Sequence, residues 1–259
     1  MFPFDKLNRS ISSVEQVPFI AEIMPTKWSY EALMVNQFKN NKYEQHFYDL
    51  EKQVSQANFK TVYFLPELKK KVKFLRRNLD SINNVPEIRK KAKQDLALLR
   101  NELGNEMKKT DLEFGYLNVL HIGTVDESVL LDTKSYIKRL DKHYNNLFSV
   151  ANTKLDNIRT YYTKNKPKAY RRLKNNYYNE SVADYVKKVM EKNKIIEYKD
   201  QLIQHVDPIY EDPEPEGFLD FRAHFYAPQK HFMGALFPTY WFNLSAIIFL
   251  AFFIVFSAF

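Results

Sequence analysis

The chain has 259 residues, with 39 Lys+Arg against 31 Asp+Glu, a formal charge of +8 and no cysteine. That length allows one or two domains, and the missing thiols exclude a disulfide framework, a thiolate nucleophile and a zinc–thiolate site. With five glycines in all, neither GxxxxGK[ST] nor GxGxxG occurs, so the chain holds no phosphate-cradling loop of its own.

The opening MFPFDKLN has neither a basic n-region nor an apolar h-region and does not read as a secretory signal. Residues 1–12 read as an irregular lead-in. Ser12–Ser13 offer cap hydroxyls for a short helix carrying Val14, Val17, Phe19, Ile20 and Ile23, which Pro25 ends. Thr26 is expected to cap a second helix through Trp28, Tyr30, Ala32, Leu33, Val35 and Phe38. Apolar residues lie on more than one side here, which predicts packing against other protein or a place in a membrane interface.

The middle has a different texture. Leu65, Leu68, Val72, Leu75, Leu79 and Ile82 step by three and four residues; Asn83–Asn84–Val85–Pro86 interrupts them; Ile88, Ala92, Leu96, Leu99, Leu103 and Met107 resume. Such spacing predicts two helices sharing a narrow seam as an antiparallel hairpin. A looser stretch is expected around Gly104–Gly123. A third long helix follows on Ile137, Leu140, Tyr144, Leu147, Ala151, Leu155, Ile158 and Tyr162. Pro167 suits the start of another helix with Tyr170, Leu173 and Tyr177 inward, and Ser181–Asp184 resembles a cap before Tyr185, Val186 and Val189. The positive excess is concentrated in residues 51–109, where it interleaves with the apolar stripe as a solvated helix face does.

From Asp207, DPIYEDPEPEGF carries three prolines and a glycine and reads as a linker. Phe237, Tyr240 and Trp241 are placed like an interfacial aromatic belt. From Phe232 to Phe259 there is no Asp or Glu, nor any Lys or Arg. A helix rises about 1.5 Å per residue, so roughly 20 such residues cross a ~30 Å hydrocarbon core. The expected architecture is therefore all-α: long antiparallel, coiled-coil-like hairpins with a C-terminal transmembrane helix. Four segments are expected: membrane-proximal external helices (1–48), a helical insertion (49–206), a Pro/acidic linker and amphipathic approach (207–231), and the transmembrane helix (232–259).

Catalytic patterns are thin. His46, His121, His143, His205, His224 and His231 form no HExxH, though His224 and His231 would share a helix face. Asp207, Glu211, Asp212, Glu214 and Glu216 lack EF-hand spacing. Lys69–Lys71 and Arg76–Arg77 come with no nucleic-acid-binding signature, so no nucleic acid partner is expected. The chain is not expected to be an enzyme and offers no catalytic, cofactor or metal residue.

The two ends together resemble a known family. PFIAEIMPTKWSYEALMVNQFKNNKYE is similar to the segment after the fifth membrane helix of ABC exporters of the ABCG (White) type, through Pro25, Trp28, Tyr30, Glu31, Ala32, Leu33, Asn36 and Phe38. FYAPQKHFMGALFPTYWFNLSAIIFLAFF resembles the approach to that family's sixth helix, through Phe225, Pro228, Lys230, Phe232, Gly234, Phe237, Trp241, Phe242 and Asn243. The resemblance covers roughly 1–48 and 222–259, not the helical middle.

It implies a bacterial permease with a long helical insertion, of which this chain is a C-terminal fragment. Residues 1–239 would then be extracytoplasmic at the cell (inner) membrane. ATP and Mg would belong to a nucleotide-binding domain upstream, and the partners would be membrane lipid, the rest of the transporter and a second half in a homodimer. Trp28, Tyr30, Phe38, Phe237 and Trp241 are the gate or interface candidates. The competing reading is a tail-anchored coiled-coil interaction protein facing the cytoplasm.

Overall fold

The computed structural model describes residues 17–214 and 217–257. The expected lead-in, the Ser12–Ser13 cap, Val14 and Glu216 lie outside them. The fold is mostly helical, as expected, and divides into two compact units. One comprises residues up to Ser55, Ala151–Asn193 and the chain from His205; the other comprises Gln56–Val150 and Lys194–Gln204.

The second unit is the simpler. After α3 (Tyr48–Phe59), a π-helical turn at Lys60–Phe64 leads into α4 (Leu65–Arg77). Pro66 explains the turn: a proline in an unbroken helix would press on the carbonyl four residues back, and the wider turn relieves it. Val85 precedes α5 (Pro86–Thr110), with Pro86 at its first position where no N–H is needed. The seam forms as the periodicity requires: Leu65, Leu68, Val72, Leu75, Ile82, Ala92, Leu96, Leu99 and Leu103 are buried.

Ion pairs fix the antiparallel register, with Lys71 Nζ 2.9 Å from Asp95 Oδ1 and Lys60 Nζ 2.6 Å from Glu106 Oε1. The start of α6 (Glu127–Asn165) joins them, through Tyr136, Ile137 and Leu140 in the core and a Tyr144 hydroxyl that donates to Glu106.

The structure corrects several expectations. Gly104 lies inside α5, not in a loose stretch; its lack of a side chain makes room for Leu117, whose Cδ2 would come 3.3 Å from a Cβ there. Leu147, expected on the seam, is 45 % exposed, because its three-and-four step falls where α6 passes from one unit's core to the other's. Ser181 is no cap; Asn179 is, accepting from the Val182 N–H (3.2 Å) at the start of α8 (Glu180–Val186). Likewise Thr26 does not cap α2 (Pro25–Lys39), which begins at Pro25 itself after the short α1 (Phe19–Glu22).

The fold is also not purely helical. β1 (Ile195–Tyr198) pairs antiparallel with β2 (Gln201–Gln204), across a two-residue turn in which Lys199 and Asp200 both have positive φ. β3 (Gln229–Phe232) and β4 (Ala235–Pro238) pair likewise around Met233 and Gly234, again both at positive φ. The expected helix from Phe232 therefore begins only at Thr239, as α9 (Thr239–Ser257). His224 and His231 share no helix: His224 lies in a loop and His231 on β3.

The first unit packs α2 against α9 and α8. Its core combines Val35, Phe38, Tyr48, Val182, Ala183, Val186, Ile209, Tyr210 and Tyr226. The supposed linker thus contributes core residues at its start, Ile209 and Tyr210, in a 3₁₀ turn at Pro208–Tyr210. A second cluster of Tyr43, Phe47 and Leu155 receives Tyr170 and Leu173 from α7 (Pro167–Tyr177).

Among the described residues no helix is long and apolar enough to cross a membrane. α9 is anchored at its start. Thr239 donates to the Ala227 carbonyl (2.5 Å) and Asn243 to the Trp28 carbonyl (3.1 Å), so its first turns are held within the protein.

Candidate functional site

The first unit contains a cluster of buried charges where α1, α2, β3 and α9 meet. The four-residue spacing of Lys27 and Glu31 on α2 places them one helical turn apart on the same side. Lys27 Nζ reaches Glu22 Oε2 at 2.8 Å and Glu31 Oε2 at 3.2 Å. From the far end of the sequence, Lys230 Nζ on β3 approaches Glu31 Oε1 at 2.6 Å. Asn243 on α9 donates to Glu31 Oε2 at 3.0 Å. The side chains of Glu31, Lys230 and Lys27 are only 0 %, 1 % and 2 % exposed.

Aromatic rings close over the charges. The Trp28 ring lies 6.0 Å from both Phe221 and Phe242, and Phe232 lies 6.0 Å from Phe242. Lys27 Nζ sits 3.8 Å from the centre of a Trp28 ring, a favourable cation–π position. The indole N–H donates to the Glu22 carbonyl at 2.7 Å.

Two carboxylates and two ammoniums make the cluster neutral as a whole, which is the condition under which buried charges are tolerated. Burial raises the Glu31 carboxyl, but the Lys230 and Lys27 ammoniums, with hydrogen bonds from Lys230 and Asn243, outweigh it and hold the pKa at about 2. Burial pushes Lys230 down, partly offset by Glu31. With Glu31 held ionised, the paired charges tie α2 to β3 and α9.

A second polar cluster lies in the same unit. Glu51 accepts from Tyr210 Oη (2.6 Å) and Arg159 Nη2 (2.8 Å), with Lys187 Nζ at 3.6 Å. Glu44 is buried beside it, and its Oε2 has no hydrogen-bond partner among the described residues. Burial and the neighbouring Glu51 push its carboxyl up to about 7, against the pull of Lys187 and Arg159. Nearby, His224 Nε2 donates to the Pro208 carbonyl (2.9 Å), and burial draws its imidazole down to about 4.

The five residues singled out from sequence do not form one group. Trp28 roofs the charge cluster. Tyr30 stacks on Phe225 at 6.1 Å, while Phe38 is a core residue packed edge-on against Tyr48 and Tyr210. Phe237 on β4 and Trp241 on α9 are exposed.

Glu22, Lys27, Glu31, Lys230 and Asn243 escape sequence reading as a site. Glu22, Lys27 and Glu31 are close in sequence, whereas Lys230 and Asn243 lie some two hundred residues away. Comparison with family models, curated proteins and solved structures finds no match for this chain.

Proposed function

We propose that this chain is the extracytoplasmic domain and last membrane helix of an ABC-type exporter permease. The observation that carries the reading is the inverted polarity of the α1–α2–α9 end of the first unit. Its charges are sequestered inside, while Ile20, Ile23, Met24, Leu33, Trp241, Ile248, Phe249, Phe252, Phe253 and Phe256 are exposed. Soluble surfaces rarely gather apolar side chains this way, and intramembrane or interfacial polar groups characteristically face inward and pair.

The segments that carry the family resemblance are also the ones that meet. Glu31 comes from the first, and Lys230 and Asn243 from the second. In this reading ATP and Mg act on a nucleotide-binding domain elsewhere in the transporter, and a second half completes a homodimer. Movement of α9 is transmitted through Asn243 and Lys230 to α2 rather than absorbed between them. Phe237 and Trp241 are the interface candidates presented to lipid or to a neighbouring helix.

The tail-anchored alternative uses helical seams to capture a partner. It is weakened because the seam of α4 and α5 is already filled within its own unit. Labelling of an exposed Ser149→Cys in sealed cells separates the two. Modification by an impermeant maleimide is the expected result, whereas protection until lysis overturns the extracytoplasmic assignment. Recovery of the whole chain as a detergent-free monomer overturns membrane residence altogether.

A further inference from the structure

Between Asn157 and Asn179 the chain has no acidic residue, and seven basic ones. Arg159 is engaged by Glu51. The other six, Lys164, Lys166, Lys168, Arg171, Arg172 and Lys174, are exposed and form no ion pair among the described residues. Two of them lie near rings, with Lys166 Nζ 5.7 Å from the Tyr161 centroid and Lys174 Nζ 5.8 Å from that of Tyr178. Ordinary surface lysines intermix with acids, as Lys69 does with Asp141; here the run along the chain carries one sign from just after Asp156 to just before Glu180.

α7 presents this charge rigidly. Tyr170 and Leu173 are packed onto Tyr43, Phe47 and Leu155, and the Tyr170 and Tyr43 hydroxyls are 3.1 Å apart. Its apolar side is therefore occupied, which leaves the cations outward with Tyr161 and Tyr177 exposed at either end. A helix whose apolar face is spent cannot sink into acyl chains, but it can lie on headgroups, where tyrosines also favour the interface.

We propose that the end of α6 and α7 form a docking face for anionic phospholipid headgroups of the same membrane that receives α9. The inference rests on the membrane reading above and adds a second contact with the same membrane. α9 is tied to the beginning of α2 through Asn243, and α7 to the residues just past its end through Tyr43. Fifteen residues of α2 span about 22 Å. Met24 and Leu33 are exposed along α2 between those two places.

Flotation of the purified full chain tests this, first with neutral phosphatidylcholine vesicles, then with about one third phosphatidylglycerol added. Each cation near an anionic surface strengthens partitioning on the order of fivefold. A K168Q/R171Q/R172Q variant is therefore expected to lose about a hundredfold of the affinity for anionic vesicles, with neutral-vesicle binding and thermal midpoint unchanged. The gain from anionic lipid is also expected to vanish near 0.5 M salt.

Equal flotation with both vesicle types overturns this proposal alone. Failure to float with either overturns the membrane reading and this one with it. Tighter binding of a single-stranded DNA homopolymer than of anionic vesicles at matched phosphate, lost in the triple variant, overturns it in favour of nucleic acid.

Discussion

The α4–α5–α6 unit and the α1–α2–α9 end of the other unit solve opposite problems with the same twenty side chains. In the former, leucines fill the seam and the pairs Lys69–Asp141 and Arg76–Glu127 lie outside. In the latter, Glu31 and Lys230 are inside, and Phe249 and Phe256 are 69 % and 79 % exposed. The difference teaches where each part finds its stability. Apolar burial away from water, about 25 cal/mol per Å², holds the first. The second depends in addition on charge balance, since its few buried ions are tolerated only while each keeps its partner.

Glu31→Gln should break this comparison most severely. It leaves Lys230 and Lys27 short of a countercharge in a site without solvent, and the expected loss is about 3–5 kcal/mol of unfolding free energy, read by urea titration in detergent. Replacing both members of the pair, Glu31→Leu with Lys230→Met, should recover most of that loss, since the desolvation cost disappears with the charges. A double variant no better than the single one would show that the cluster's contribution is packing rather than charge balance.

The legible parts of the fold are those where neighbours in sequence are neighbours in space. Leu68, Val72 and Leu75 announce their helix by spacing alone, and Pro86 and Pro167 announce where helices start. The two hairpins left a fainter trace. IIEY and QLIQ are separated by two residues, as are QKHF and ALFP, which is hairpin spacing. However, Lys-Asp is a weak turn signal, and the apolar run after Phe232 reads equally as helix. The charge cluster was the least legible part. Nothing near Glu31 names Lys230, and only the fold brings the strand that carries it.

Titration sharpens the comparison at smaller amplitude. Glu44 is raised to about 7 in the folded chain from an ordinary value of 4.5, so the folded state binds the extra proton. Stability then falls as pH rises from about 4.5 to about 7, by up to roughly 3 kcal/mol. His224 is lowered from 6.5 to about 4, so the unfolded chain binds the extra proton. Stability falls as pH drops from about 6.5 to about 4, by a similar amount. The two slopes oppose each other across nearly the same window, so each masks the other in the wild-type profile. Glu44→Gln should uncover a profile rising with pH, and His224→Phe one falling with pH, both measured as thermal midpoints between pH 4 and 8 (a range of about four units). Identical flat profiles in both variants would mean that neither group titrates abnormally.

The smallest effect is expected where the chain most resembles an ordinary soluble helical protein. Lys69 Nζ lies 2.7 Å from Asp141 Oδ2, yet both side chains are substantially exposed at 44 % and 28 %. Water solvates each ion almost as well unpaired, and holding the long lysine side chain in one rotamer costs entropy. Asp141→Ala should therefore lower unfolding free energy by no more than about 1 kcal/mol, with the difference shrinking at high salt. A contact of nearly the same length joins Lys230 to Glu31, so bond distance predicts the wrong ranking. The decisive variable is what replaces the partner when it is removed: water at Asp141, and nothing at Glu31.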